Sequence, residues 1–156
     1  MTSSRLSIWL LCAGAIVLAC GPRARDATTR DSTTPASVVN PRDGSVLASS
    51  LDVAVGTDVQ LTLHITNAGD STLELQFVSG QSHDFVVVDS TGAEIWRWGA
   101  DRMFTQALQT RTLAAGQSLT YEERWTPGNA TGQFTAIARL TSSNLPVEKR
   151  VDFALP

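Results

Sequence analysis

The chain has 156 residues, of which 42% are hydrophobic and 17% are charged, and its formal net charge at pH 7 is −3. This length and composition fit one globular domain with flanking segments. The slightly acidic balance excludes the basic field that a nucleic-acid-binding surface requires, so we predict no nucleic-acid partner.

Residues 1–19 have the order of a secretory signal peptide. A short segment that carries Arg5 precedes residues 8–19, which form a run without any charge. That run is shorter than the ~20 apolar residues of a membrane-spanning helix, and its position after a positive charge is typical of a signal sequence.

The end of this run, Val17-Leu18-Ala19-Cys20, resembles a lipobox, the site at which a signal peptidase cleaves before a cysteine that is acylated. The resemblance implies a lipoprotein that starts at Cys20 and is attached by lipid to a membrane of the bacterial cell envelope, on its periplasmic or extracellular face. Cys12 is removed with the signal peptide, so the mature chain has no second cysteine for a disulfide. The alternative is an ordinary signal peptide cleaved near Ala19 or Ala24.

Residues 20–50 are predicted to form a disordered tether. They are rich in Ser, Thr, Ala and Pro, with interspersed Arg and Asp and almost no hydrophobic periodicity. Such a composition buries too little apolar surface to offset the entropy lost on ordering. A random chain of about 30 residues would hold the following domain on the order of 30 Å from the membrane.

From Leu51 to the end of the chain, hydrophobic and polar residues alternate with a period of two, which is typical of strands that bury one face. Turn residues separate eight such segments: 51–55, 59–65, 73–77, 84–88, 93–98, 119–125, 134–140 and 147–155. No helical period occurs after Ala19. We therefore predict that residues 51–156 form an all-β domain, an antiparallel immunoglobulin-like β-sandwich of about eight strands.

Segments 84–88 and 93–98 are predicted to form a β-hairpin, because Gly92 supplies the positive φ that the intervening turn requires. Trp96 and Trp98 are two residues apart and lie on one face of the second strand. We interpret Trp96 as a core residue and Trp98 as partly exposed. The alternative function for these rings is a platform on which a sugar or a peptide stacks.

The same stretch resembles the central motif of the BsuPI family, bacterial intracellular proteinase inhibitors of subtilisin-type serine proteases. The residues that carry the resemblance are Ser79, Gly80, Gln81, Asp84, Phe85, Val87, Asp89, Gly92, Trp96, Trp98, Phe104, Thr105 and Gln106. Leu113-Ala114-Ala115-Gly116-Gln117, Tyr121 and Trp125 extend it. The chain differs from the family pattern at His83, where an aromatic residue is commoner, and at Gly99, where a serine is expected.

What this resemblance implies is an inhibitor that places a loop in the cleft of a serine protease. We assign the loop 99–106, together with the neighbouring Trp98, as the partner-binding surface. Met103 is the expected anchor, because subtilisin-type clefts favour a large apolar side chain, and Arg102 is expected at the rim. Phe104 either contacts the partner or packs back into the core.

An enzyme is not expected. The chain has two histidines, His64 on the polar face of a strand and His83, which we interpret as a loop residue beside a turn-forming Asp84. Neither lies at the spacing of a metal site or of a nucleophilic triad, and no phosphate, calcium or dinucleotide motif is present. We predict no cofactor, no metal and no small-molecule substrate.

Two functions follow from these observations. The first is a membrane-anchored inhibitor or binder of a serine protease, which would have to be a secreted or periplasmic protease because of the lipobox. The second is a non-enzymatic immunoglobulin-like interaction or assembly module of the cell envelope, since such folds serve many functions.

Overall fold

The computed structural model describes residues 46–156. The predicted signal peptide, the lipidation site Cys20 and the tether as far as residue 45 lie outside the described residues. Within the described part of the chain, no helix is long and apolar enough to cross a membrane.

The described residues form nine strands and no helix, so the prediction of an all-β antiparallel sandwich is confirmed. The strands are β1 (Leu47–Val55), β2 (Val59–Asn67), β3 (Leu73–Phe77), β4 (His83–Asp89), β5 (Glu94–Arg97), β6 (Gln109–Leu113), β7 (Ser118–Trp125), β8 (Gly132–Leu140) and β9 (Val147–Leu155). They pair in a three-stranded sheet β1-β2-β7, a four-stranded sheet β5-β4-β8-β9 and a two-stranded ribbon β3-β6. Every pair is antiparallel.

The sheets share one hydrophobic core. It is formed largely by residues that the alternation predicted to point inward. In β2 the four apolar residues are fully buried, whereas the polar residues between them are partly exposed. The four-stranded sheet contributes Phe85 and Val87 from β4 and Phe134 from β8 to the same cluster, and the ribbon contributes Phe77. The apolar face of each sheet is thereby removed from water, which is the main favourable term in folding.

The predicted hairpin is β4–β5. Gly92 has a φ of 85°, and the Asp89 carboxylate accepts hydrogen bonds from the Thr91 amide, the Thr91 hydroxyl and the Ala93 amide. These bonds lower the pKa of Asp89, because they favour its charged form. Trp96, which we interpreted as a core residue, is partly buried and packs against the core without belonging to its buried cluster.

Two features differ from the predicted strands. β1 begins at Leu47, four residues before the predicted start of the domain at Leu51, and Leu47 is buried. The ninth strand, β6, was not predicted at all. Its sequence has no hydrophobic alternation, because only Leu113 at its end is buried and the three residues before it are exposed.

The register of β2 can be tested with neighbouring substitutions. Leu61 is fully buried, and Leu61→Ala should lower the free energy of unfolding by about 2–5 kcal/mol because it leaves a cavity in the core. Thr62 lies on the opposite face and is partly exposed, so Thr62→Ala should cost less than about 1 kcal/mol. Urea unfolding of the full chain measures both. Equal losses would mean that the facing of β2 is shifted by one residue.

Candidate functional site

The longest connection between strands among the described residues runs over residues 98–108, from β5 to β6, and we call it the β5–β6 loop. Met103 lies in its middle and is 100% exposed. Leu108, at its end, is 84% exposed. Both are large apolar side chains that lie in water and do not belong to the hydrophobic core.

The two neighbours of Met103 fold back onto one ring. The guanidinium carbon of Arg102 lies 4.4 Å from the centroid of the Trp98 ring, and the Phe104 ring lies 5.6 Å from it. Arg102 Nε also donates a hydrogen bond to the Trp98 carbonyl, at 3.2 Å. A cation over an indole face and an adjacent tilted ring are both favourable contacts. Trp98 therefore supports the loop on either side of Met103.

Trp98 is the outer member of an aromatic stack that crosses the domain. The imidazole of His83 stacks on Trp98 with a centroid distance of 4.2 Å, and on Tyr121 with a distance of 4.4 Å. Tyr121 is a buried residue of β7, in the three-stranded sheet, whereas His83 is the first residue of β4, in the four-stranded sheet. The stack joins the two larger sheets to the β5–β6 loop.

The interpretation of His83 as a loop residue was wrong. Its side chain is 12% exposed, and its Nε2 lies 3.3 Å from Glu123 Oε1 of β7. Its Nδ1 lies 3.4 Å from the Ser82 hydroxyl. Burial lowers the pKa of His83 below its ordinary value of 6.5, because desolvation of the charged ring outweighs the opposing effect of Glu123.

Asp84 is likewise not the turn residue that we predicted. It is a buried residue of β4, and its Oδ2 accepts a hydrogen bond from Arg97 Nη1 at 2.6 Å. Its Oδ1 accepts a hydrogen bond from the Gly99 amide at 3.2 Å. Arg97 also pairs with the exposed Glu94 at 2.6 Å, and these hydrogen bonds raise the pKa of Arg97 and lower that of Glu94. Asp84 thus ties the start of the β5–β6 loop to the sheet.

The other end of the loop is held by a backbone contact. The Gly80 amide donates a hydrogen bond to the Thr105 carbonyl, at 2.8 Å. A Cβ at Gly80 would come within 2.7 Å of Thr105 Oγ1, and one at Gly99 would come within 2.9 Å of Gln81 Nε2. Both glycines therefore permit close packing that a side chain would disturb.

Of the four residues assigned to the partner-binding surface, Met103 and Arg102 are exposed. Phe104 is half-buried against Trp98, which corresponds to the alternative in which it packs inward. Trp98 is half-buried and supports the loop from below. The structure brings all four together, and their role in binding stays a prediction.

Sequence reasoning missed the roles of three residues of the site. His83 and Asp84 were assigned to a loop and a turn, and the stacking of Tyr121 on His83 was not predicted. A signal for His83 was available. Phe85 and Val87 point into the core, and extending their alternation by two residues places His83 on the same inward face. Its contact with a tyrosine on another sheet has no counterpart in the local sequence.

Among residues 46–156, no group of three or more His, Cys, Asp or Glu side chains is arranged to hold a metal ion. The site consists of a loop that is hydrogen-bonded near both ends and an apolar side chain, Met103, that is exposed.

A family model described as BsuPI, intracellular proteinase inhibitor, matches residues 47–145, which is more than half of the chain. No curated protein matches the chain. Among solved structures, the yjhA protein from Bacillus subtilis is similar at 11% identity and a TM-score of 0.41, over 71% of this chain and 93% of that one. A β-glucosidase from Listeria innocua is similar at 14% identity and a TM-score of 0.33, over 67% of this chain and only 16% of the enzyme.

The two carboxylates that pair with Arg97 provide a matched test of how the loop is held. Asp84→Asn should lower the free energy of unfolding by about 2 kcal/mol, because it removes a buried charged hydrogen-bond partner. Glu94→Gln, at the same distance from Arg97 but exposed, should cost less than about 1 kcal/mol. Denaturant unfolding of both variants checks this. Equal losses of unfolding free energy in the two variants would show that the buried pair of Asp84 with Arg97 is no more stabilising than the exposed pair of Glu94 with Arg97.

Proposed function

Since this chain belongs to the BsuPI family of intracellular proteinase inhibitors, we propose that it binds the active-site cleft of a subtilisin-type serine protease through its β5–β6 loop. The side chain of Met103 enters a specificity pocket of the protease. The chain acts as a non-enzymatic inhibitor, and its partner is a protein.

The complete exposure of Met103 is the observation that carries this proposal. Hydrophobic burial drives association, and burying a side chain of this size contributes about 1.5–3 kcal/mol. In the free chain that apolar surface is in water, so the whole of it remains to be buried by a partner. Met is unbranched and flexible, and it fits pockets of varied shape.

The support of the loop favours tight binding. A flexible loop must lose conformational entropy when it is bound, at about 0.5–1.5 kcal/mol per immobilised side chain. Here Arg102 and Phe104 already rest on Trp98, and the loop is hydrogen-bonded near both ends to Asp84 and Gly80. Most of that entropy is lost during folding, before the protease is met.

Arg102 has a second role at the rim of the interface. Its guanidinium is exposed to water although one face lies on Trp98. A rim charge mainly affects the rate of association and its salt dependence. Substitution of Arg102 therefore removes both a charge and one of the two contacts that support Met103.

The location of the partner follows from the N-terminal sequence. We propose that Cys20 is lipidated and that the protein is anchored in the bacterial cell envelope, with the inhibitory domain on the periplasmic or extracellular side. The target is then a secreted or periplasmic protease. Anchoring would concentrate the inhibitor at the membrane surface.

An inhibition series with the full chain tests the binding loop. Met103→Ala should weaken inhibition of a subtilisin-type protease by about 2 kcal/mol or more, roughly thirtyfold, because it removes the buried anchor. Arg102→Ala should cost nearer to 1 kcal/mol. The residual activity of the protease against inhibitor concentration is measured.

Two control substitutions accompany this series. Leu108→Ala removes another exposed apolar side chain of the same loop, and Asn129→Ala changes an exposed residue between β7 and β8. Neither should alter inhibition by more than about threefold. If Leu108→Ala weakens inhibition as much as Met103→Ala does, the assignment of Met103 as the anchor is wrong. A wild-type chain that inhibits and binds none of the proteases tested would favour the envelope interaction module instead.

Lipidation is tested on the mature protein. Mass spectrometry should find an acylated cysteine, Cys20, at the N-terminus, and Cys20→Ala should release the protein from the membrane fraction or block its processing. An unmodified mature N-terminus beyond Gly21 would show that the ordinary signal-peptide alternative is correct.

A further inference from the structure

The imidazole of His83 lies beneath the ring that supports the β5–β6 loop. We propose that His83 is a positioning residue for this loop, and that its neutral ring keeps Met103 in the binding geometry, so that the chain holds its protease less tightly when the ring is protonated. This inference deepens the proposed function and rests on it for its effect on binding, whereas its effect on the loop is measurable without a partner.

The ring contacts follow one order from the loop to the core. Arg102 and Phe104 lie on Trp98, Trp98 stacks on His83, and His83 stacks on Tyr121, which is 8% exposed. Tyr121 belongs to the core and cannot shift without disturbing it. His83 is therefore the link between a fixed residue and the support of the loop.

No side-chain hydrogen bond among the described residues orients the Trp98 ring. Its indole Nε1 is buried and has no hydrogen-bond partner among the described residues, and the same is true of the Tyr121 hydroxyl. The Trp98 amide donates to the Phe85 carbonyl at 2.9 Å, but this bond fixes the backbone and not the ring. The orientation of the indole thus depends on its ring contacts, of which the stack on His83 has the shortest centroid distance.

Charged and polar groups surround His83. Glu123 and Tyr121 face it from β7, Asp84 is its neighbour in β4, and Arg102 approaches from the loop. In the neutral ring, Nε2–H can donate a hydrogen bond to Glu123 while Nδ1 accepts one from the Ser82 hydroxyl, so both ring nitrogens have partners. Protonation of the stacked ring would bring a second cation close to Arg102, and the two like charges repel. This repulsion and the loss of hydration both disfavour the protonated ring in the stacked position.

The direction of the pH effect follows from burial. Desolvation lowers the pKa of His83 below 6.5, so the ring is neutral at pH 7–8 and the loop is supported. As the pH falls below 6.5, the ring gains a proton most readily in conformations that expose it to water. Those conformations lack the stack. Binding to a protease that requires the stacked form should therefore weaken toward low pH.

The test compares inhibition constants of the full chain at pH 8 and pH 5.5 against one subtilisin-type protease. The wild-type chain should lose about tenfold more affinity between the two pH values than His83→Phe, which keeps a stacking ring but does not titrate. His64→Gln is the matched control, since His64 is exposed and pairs with Asp52 away from the stack. It should follow the wild type. Comparing variants against the same protease cancels the titration of the protease itself.

A second measurement uses the free chain and needs no variant. Hydrogen-exchange protection factors of the Gly80 amide, which donates to Thr105, should fall in the wild type between pH 8 and pH 5.5. The Gly92 amide, bonded to the Asp89 carbonyl in the distant hairpin turn, should keep its protection.

Constant protection of Gly80 in the wild type, or equal pH dependence of inhibition in the wild type and His83→Phe, would overturn the positioning role. A chain that binds no protease but shows the selective loss at Gly80 would retain the role of His83 and contradict only the proposed function.

Discussion

The structure depends on an aromatic stack that joins the three-stranded sheet, the four-stranded sheet and the β5–β6 loop. Tyr121 of β7, His83 of β4 and Trp98 after β5 lie ring upon ring at 4.2–4.4 Å. Stacked rings bury large areas with little loss of side-chain freedom, and each such pair contributes about 0.5–1.5 kcal/mol beyond its buried area. The stack adds contacts with the packed core to the hydrogen bonds that hold the loop at Gly99 and Thr105.

Polar contacts also hold the β5–β6 loop in place, in addition to the aromatic stack. Asp84, buried beside His83, binds both Arg97 and the Gly99 amide and so fixes the first residue after Trp98. Gly80 fixes the loop again at Thr105. Between these two points, Arg102 and Phe104 are drawn inward to Trp98, and Met103 is left in water. The exposed anchor is therefore a consequence of how its neighbours are held.

The sequence predicted the parts of this molecule that depend on local periodicity. Alternation in β2 and β8 identified their buried faces, because each strand packs one face on the core. The same reasoning missed β6, whose exposed residues have no alternation and which is held by pairing with β3. It also misassigned His83 and Asp84. Their burial results from a tyrosine on another sheet and an arginine on the next strand, which no local pattern reveals.

The claim that the β5–β6 loop occupies a protease cleft is tested most directly by blocking that cleft. Binding of the full chain is measured to a subtilisin-type protease in two forms, one free and one whose active-site serine carries a covalent peptidyl inhibitor that fills the specificity pockets. We expect binding to the free form and a loss of at least about a hundredfold for the blocked form, because Met103 has no pocket to enter. Equal binding to both forms would contradict the placement of the loop in the cleft.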